Sequence, residues 1–285
     1  MGMTTMPAPL RQSVAAWCFA RGSAVWTLDQ VAAAARRTGC SSVELLLPDE
    51  IPTVARHGLT CALTQVDLGP YPPFAKGFNN PRYRAEVLAA TRRAIAGAAA
   101  NGSPNVIAFT GMRQRDLDDP TAGDIPDDEG LAECITGLTE VARDAERAGV
   151  NVCLEMLNTV PDQDPMKGHP GYHGDALEWC AQVVRGVGSP RVKLLFDAYH
   201  VQLMQGNLCN RIRAHGDLIG HVHVAGCPGR GNLDDAQEIH FPGVIAALQA
   251  VGYDGYIGHE FIPTGDAEAA LAQAVAACGG RKNTP

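Results

Sequence analysis

"VKLLFDA", residues 192–198, is a near-continuous apolar run that stops on an aspartate. A strand with one face in water alternates apolar and polar residues. A parallel strand covered by helices on both faces reads as unbroken hydrophobicity. Seven more runs of the second kind occur: "SVAAWCF" (13–19), "SVELLL" (42–47), "TCALTQV" (60–66), "NVIAFTG" (105–111), "NVCLEML" (151–157), "GHVHVAG" (220–226) and "GYIGHEF" (255–261). Helix-patterned segments lie between and after them, at 28–38, 51–57, 82–100, 129–148, 175–187, 208–216, 242–251 and 267–278. Several end in a glycine suited to a helix C-cap, as in "RRTGC", "AANGS" and "ERAGV".

Eight strands alternating with eight helices is the count of a (β/α)8 TIM barrel, here expected as a single α/β domain over residues 1–285. The competing arrangement is a doubly wound open sheet. Against it, no G-x-G-x-x-G follows the first run, and no point divides the chain into two halves. The loop at 112–128, rich in Asp, Pro and Gly, is the longest polar insertion and follows the fourth run.

Apolar residues make up 46% of the chain, ample for a large core. The net charge of −8, without a long basic run, argues against a nucleic-acid partner. Nine cysteines are scattered singly with no C-x-x-C pair. That usage suits buried reduced thiols of a cytoplasmic protein better than a disulfide framework or a structural zinc site. "MGMTTMPAPLRQS" lacks the apolar stretch of a signal peptide, and no run of 18 apolar residues occurs, so no membrane association is expected.

In such a barrel the chemistry sits at the C-terminal ends of the strands. The fifth run carries Glu155, the sixth ends on Asp197, the seventh carries His221 and His223, and the eighth ends near Glu260. Residues i and i+2 share a face of a strand. His221 and His223 therefore both point inward, with His223 at the level of the carboxylates and His221 one layer deeper. Three carboxylates in one pocket repel, and must take up protons or a cation. Taken singly, each position reads more simply as a packed core histidine or the first acid of a solvated loop. Four of them on four successive strands favour a metal site. Three oxygen ligands and one imidazole suit Mn2+, Mg2+ or Co2+, whereas zinc usually recruits cysteine or several histidines.

"VCLEMLN", "KLLFDAYHVQLMQGNL", "IGHVHVAGCPGR" and "GYDGYIGHEFIP" together resemble the xylose-isomerase-like TIM-barrel proteins, and among them the hydroxypyruvate isomerase branch. The similarity is strongest from 151 to 266. It implies a divalent metal held by Glu155, Asp197, His223 and Glu260, with the two glutamates also serving as the acid/base pair. It implies substrate contacts from His200, three residues after Asp197, and from Arg230, at the end of the "CPGR" loop. It also points to homo-oligomers. One position departs from the pattern: hydroxypyruvate isomerases carry Gln where this chain has His223, and the related ketose 3-epimerases carry His.

The chemistry such a set performs follows from its parts. A metal bound to adjacent hydroxyl and carbonyl oxygens of a small sugar or sugar acid polarises the carbonyl, and a glutamate removes the neighbouring proton to give a cis-enediolate. Protonation at the other carbon gives an aldose–ketose isomerase acting on hydroxypyruvate or a related keto sugar acid. Protonation of the same carbon from the opposite face gives a ketose 3-epimerase. Loss of a β-hydroxyl would give a sugar dehydratase, and a sugar-binding barrel without catalysis would not need two placed glutamates. A metal-dependent nuclease would need more histidines and a basic face. No nucleotide motif is present, so no nucleotide cofactor is expected. His200 reads either as a donor to substrate or as an orienter of Asp197. Arg230 reads as a fork for a carboxylate or as a solvated loop cation. The loop 162–175 holds His169, Tyr172 and His173, of which His173 is the candidate substrate contact, if the loop is a lid rather than plain surface. Trp17 and Phe19 read as core or as a pocket wall.

Overall fold

The computed structural model describes residues 9–20, 24–164 and 167–279. The first half of the chain runs β1 (Arg11–Ala15), α1 (Ala16–Phe19), α2 (Leu28–Thr38), β2 (Ser42–Glu44), α3 (Ile51–Ala55), α4 (Arg84–Ala100), β3 (Asn105–Phe109) and α5 (Asp127–Ala148). It continues with β4 (Asn151–Glu155), α6 (Leu177–Val187), β5 (Val192–Asp197), α7 (Ala198–Met204), α8 (Leu208–His215), β6 (Ile219–Val224), α9 (Phe241–Ala250), β7 (Tyr256–His259) and α10 (Ala267–Ala277).

Every strand pair is parallel, in the order β2-β1-β7-β6-β5-β4-β3. Residues 60–64 fill the remaining place between β2 and β3 and curl the sheet into a TIM barrel. The segment pairs only at isolated points, Thr60 with Ser42 and Thr64 with Leu46 and Val106. The reason lies in its neighbour: Leu45 is left-handed (φ 58), which stops β2 at Glu44 and interrupts the ladder. Backbone hydrogen bonds still close the gap on both sides, from Leu45 N to Leu63 O (2.8 Å) and from Thr64 N to Asn105 O (2.8 Å).

The strand interiors are largely apolar and, Lys193 and Gly220 apart, buried, so the core is one connected cluster reaching from Leu10 to Cys278. Helix boundaries follow local chemistry. Thr27 and Gln30 form a reciprocal capping box at the start of α2. Three acids, Asp127, Asp128 and Glu129, sit at the positive N-terminus of α5, and Gly149 (φ 70) ends it where a side chain would be strained.

Besides the second and third runs, two stretches differ from the sequence expectation. The first run ends as strand at Ala15, and Trp17 and Phe19 sit on the short α1. The second difference is α7, which follows β5 at once because Asp197 Oδ1 accepts from the Tyr199 and His200 backbone N–H groups. All nine cysteines are unpaired, and all but Cys209 are buried. Among the described residues, no helix is long and apolar enough to cross a membrane.

Candidate metal centre and active site

Glu155 ends β4, Asp197 ends β5, His223 lies one residue from the end of β6, and Glu260 follows β7 directly. Parallel register sets Asp197 beside His223, while Glu155 pairs with Leu195 one layer down and Glu260 lies two residues past Gly258, the partner of His223. One ligand atom from each lies within 4.8 Å of the others, and all four residues are buried. His223 Nδ1 is 2.8 Å from Glu260 Oε2 and 3.4 Å from Glu155 Oε1.

The atoms that converge make no hydrogen bond of good geometry, although Glu260 Oε2 is ion-paired with Arg230 Nη2 at 2.7 Å. Glu155 Oε1, Asp197 Oδ2, His223 Nδ1 and Glu260 Oε2 are all buried with no hydrogen bond. A buried acceptor normally finds a donor; three carboxylate oxygens and an imidazole nitrogen gathered around one point, with a single arginine beside them, fit a hard or borderline divalent cation. Their other atoms are engaged. Asp197 Oδ1 caps α7, and Glu260 Oε1 accepts from Trp17 Nε1 (2.9 Å).

One contributor has no counterpart in the sequence reading. Glu44, the last residue of β2, is fully buried, and its Oε1 lies 2.8 Å from His223 Nε2 and 3.0 Å from His221 Nε2. The signal was a lone acid in the apolar run "SVELLL", since a buried Glu is rare without partners. His221 lies one layer below His223, as the i, i+2 spacing predicts.

His200 is fully buried. Its Nδ1 accepts from the Asn158 backbone N–H (3.1 Å) and from Asn158 Nδ2 (2.7 Å), so Nε2 carries the hydrogen, and Nε2 lies 3.6 Å from Asp197 Oδ2. Arg230 is no solvated cation: it is 5% exposed, with Nη2 2.7 Å from Glu260 Oε2. Its guanidinium sits between the rings of Trp17 and Tyr199. Trp17 thus touches the site, whereas Phe19 is core, packed on Trp26 and Phe261.

The loop at 162–175 divides in two. His173 is buried away from the four-group cluster: Asn79 Nδ2 donates to its Nδ1 (3.0 Å), Asp127 Oδ1 lies 3.3 Å from its Nε2, and its ring stacks on Trp179. His169 is the loop histidine whose ring meets His200, at 5.4 Å, and its Nδ1 is buried without a partner. Tyr172 is fully buried and anchors the loop beneath the site, its hydroxyl accepting from Thr110 N–H (2.8 Å) and donating to the Glu155 carbonyl (3.0 Å).

Charge in the site is divided unevenly. Burial pushes the Glu155 carboxyl up to about 7, against the pull of His223, with Glu260 and Asp197 adding to the rise. Burial also raises Asp197, with Arg230 opposing. For Glu260 burial is outweighed by Arg230, His223 and the Trp17 N–H, which hold it below the usual carboxylate range. Burial is outweighed at His223 by Glu260, Glu155 and Glu44, which raise it well above an ordinary imidazole. His200 and His169 are pushed down, His169 to about 4, by burial and by the Arg230 charge. Glu44 is held low by His221 and His223 despite its burial, so it is an ionised acceptor and both ring Nε2 atoms donate to it.

A 2-oxo-tetronate isomerase of Cupriavidus necator is 29% identical to this chain over 255 residues, covering 86% of this chain and 90% of that protein. The hydroxypyruvate isomerase of Escherichia coli is 31% identical over 102 residues, an alignment spanning 36% of this chain and 39% of that enzyme. The crystal structure of an AP endonuclease, family 2, from Brucella melitensis superposes with a TM-score of 0.78 at 23% identity, over 95% of this chain and 98% of that one, which is a likeness of fold. Residues 32–278 match the xylose isomerase-like TIM barrel family, and the chain belongs to it.

Proposed function

We propose that this protein is a divalent-metal-dependent isomerase of a small keto sugar acid, of the 2-oxo-tetronate or hydroxypyruvate type. The observation that carries the reading is the convergence of four buried ligand atoms, three carboxylate oxygens and one imidazole nitrogen, at the C-terminal mouth of the barrel. Glu155, Asp197, His223 and Glu260 would hold the cation. When bound, Mn2+, Mg2+ or Co2+ supplies a Lewis acid that polarises the substrate carbonyl.

The chain's own groups do the rest. Glu155 and Glu260 reach the site from strands on opposite sides of β6, so they flank a bound substrate. One takes the proton from the carbon next to the carbonyl, and the other returns a proton to the neighbouring carbon. His200 offers its Nε2–H to a substrate oxygen, and Arg230 supplies a cation that balances the acids. The similarity to the 2-oxo-tetronate isomerase over most of both chains supports a carboxylate-bearing substrate.

The test is proton exchange in D2O followed by NMR, with Mg2+-loaded protein and 2-oxo-tetronate, hydroxypyruvate and a panel of four- to six-carbon ketoses. Carbonyl transfer with deuterium on the carbon that gave up the carbonyl, abolished by Glu155→Gln and by Glu260→Gln, is the expected result. Deuterium at an inverted carbon without carbonyl transfer would assign a ketose 3-epimerase instead. No exchange with any of them would sink the isomerase reading.

A further inference from the structure

We propose that Glu44 is a positioning residue for the metal centre: its carboxylate holds the His223 ring with the hydrogen on Nε2 and Nδ1 free to ligate, and Gly258 leaves the space that this contact needs. The inference rests on the metal-site reading above and adds to it a residue 179 positions away from the ligand it orients.

An imidazole ligates through one nitrogen, and which one is set by the partner of the other. At His223 the two nitrogens face different worlds. Nε2 faces Glu44 Oε1 at 2.8 Å, and Nδ1 faces the converging carboxylate oxygens of Glu155, Asp197 and Glu260. Glu44 Oε1 lies within hydrogen-bond distance of two ring nitrogens at once, His223 Nε2 and His221 Nε2, and one carboxylate oxygen serves both only by accepting from both, so the contact admits only the ring state with a hydrogen on Nε2. His221 donates to the same oxygen from below, at 3.0 Å, which keeps the carboxylate from rotating away. The two rings stand edge to face, 5.0 Å apart.

Two further features serve the same contact. A Cβ built on Gly258 would stand 2.1 Å from Glu44 Oε1 and 2.7 Å from His223 Cδ2. The backbone of β7 does not require glycine there; the space does. Next to Glu44, Leu45 takes a left-handed conformation (φ 58) uncommon for a leucine. That bend ends β2 on Glu44, at the strand end nearest the site.

Glu44, His221 and His223 are also close enough to hold a second ion. That would make His223 a bridge stripped of both hydrogens. The separations of 2.8 and 3.0 Å to one oxygen are those of hydrogen bonds, so the occupant of this layer is a pair of protons.

The experiment is 15N NMR of histidine-labelled protein, metal-free and Mg2+-loaded, with Mn2+ binding followed by calorimetry. The expected result is a slowly exchanging Nε2 hydrogen on His223 in both forms, no hydrogen on Nδ1 once Mg2+ is bound, and one Mn2+ per chain. Glu44→Gln, whose amide can accept or donate, should speed that exchange and weaken Mn2+ binding by roughly 10–100-fold. Gly258→Ala should weaken it comparably, although it removes no ligand. A hydrogen on Nδ1 rather than Nε2 in the wild type, two Mn2+ per chain, or folded variants that bind Mn2+ within about twofold of wild type would each overturn the proposal. If the variants do not fold, the wild-type ring state decides alone. A wild type that binds no divalent ion but keeps the protected Nε2 hydrogen would refute the metal reading and leave the Glu44 contact standing.

Discussion

Loading the site with a divalent ion should expel protons, and the number should change with pH in a direction fixed by the structure. A metal ligand must be unprotonated. In the metal-free protein, His223 is raised well above the ordinary imidazole value and Glu155 is pushed up to about 7. At pH 6 both ligands carry a proton that the ion must displace, so about two are released per ion bound. At pH 8 Glu155 is largely ionised already, and the count falls toward about one. Each displaced proton lowers the apparent affinity about tenfold per pH unit of acidification, so Mg2+ or Mn2+ should bind roughly 10^3-fold more weakly at pH 6 than at pH 8. Titration calorimetry in buffers of different ionisation enthalpy measures the count directly, and the affinities come from the same isotherms. A count near zero at pH 6, with affinity flat across the range, would refute the placing of His223 Nδ1 and Glu155 Oε1 as ligands.

Three other outcomes follow from the structure. Tyr172→Phe leaves the Thr110 N–H and the Glu155 carbonyl without their shared buried partner. It should cost about 1–3 kcal/mol, read from the midpoint of denaturant unfolding at constant slope. Arg230→Met strips Glu260 of its buried cation, which should destabilise the metal-free protein by about 3–5 kcal/mol. Saturating Mg2+ should recover part of that loss, and a loss unchanged by the ion would speak against Glu260 as a ligand. With eight of nine thiols buried and none paired, a soluble thiol reagent should label Cys209 alone in the native protein; rapid labelling of several would contradict the packing.

What could be read from the sequence was whatever depends on period. Unbroken apolar strands alternating with helices gave the barrel, and two-residue alternation placed His221 and His223 on the same inner face. The carboxylates at the ends of three strands followed from the same rule. Tertiary proximity was hidden. Glu44 meets His223 only because barrel closure brings β2 near β6, and nothing local marks the contact beyond an acid among apolar neighbours. In the loop after β4, histidines four residues apart have different surroundings. His173 is drawn under α5 by Asp127 and Asn79, while His169 turns toward His200. No periodicity distinguishes them, because loop backbone has none. Arg230 was ambiguous for a related reason: a left-handed backbone (φ 51) turns it inward from a loop that composition marks as solvated.

The charges around the centre bear on how such a cluster tolerates burial. Leaving out Glu44, which stays behind His223 in either state, Glu155, Asp197 and Glu260 bring three negative charges into a set where Arg230 supplies one positive charge. Left so, the deficit of two would be prohibitive in a medium this poorly solvated. Protonation of Glu155 and of His223, the two groups whose affinity for protons rises most clearly toward neutrality, removes that deficit. One divalent cation in place of those two protons restores the same balance. The metal-free and loaded states are therefore isoelectric within this set. The barrel can keep the four ligands gathered in either state, and the site need not unfold to fill. A monovalent ion would leave one proton behind, and a trivalent one would leave an excess. Arg230 enters that balance on the same footing as the carboxylates it faces. Replacing that arginine by a neutral residue should raise by one the protons retained in the metal-free site at neutral pH, a count the same calorimetry would register.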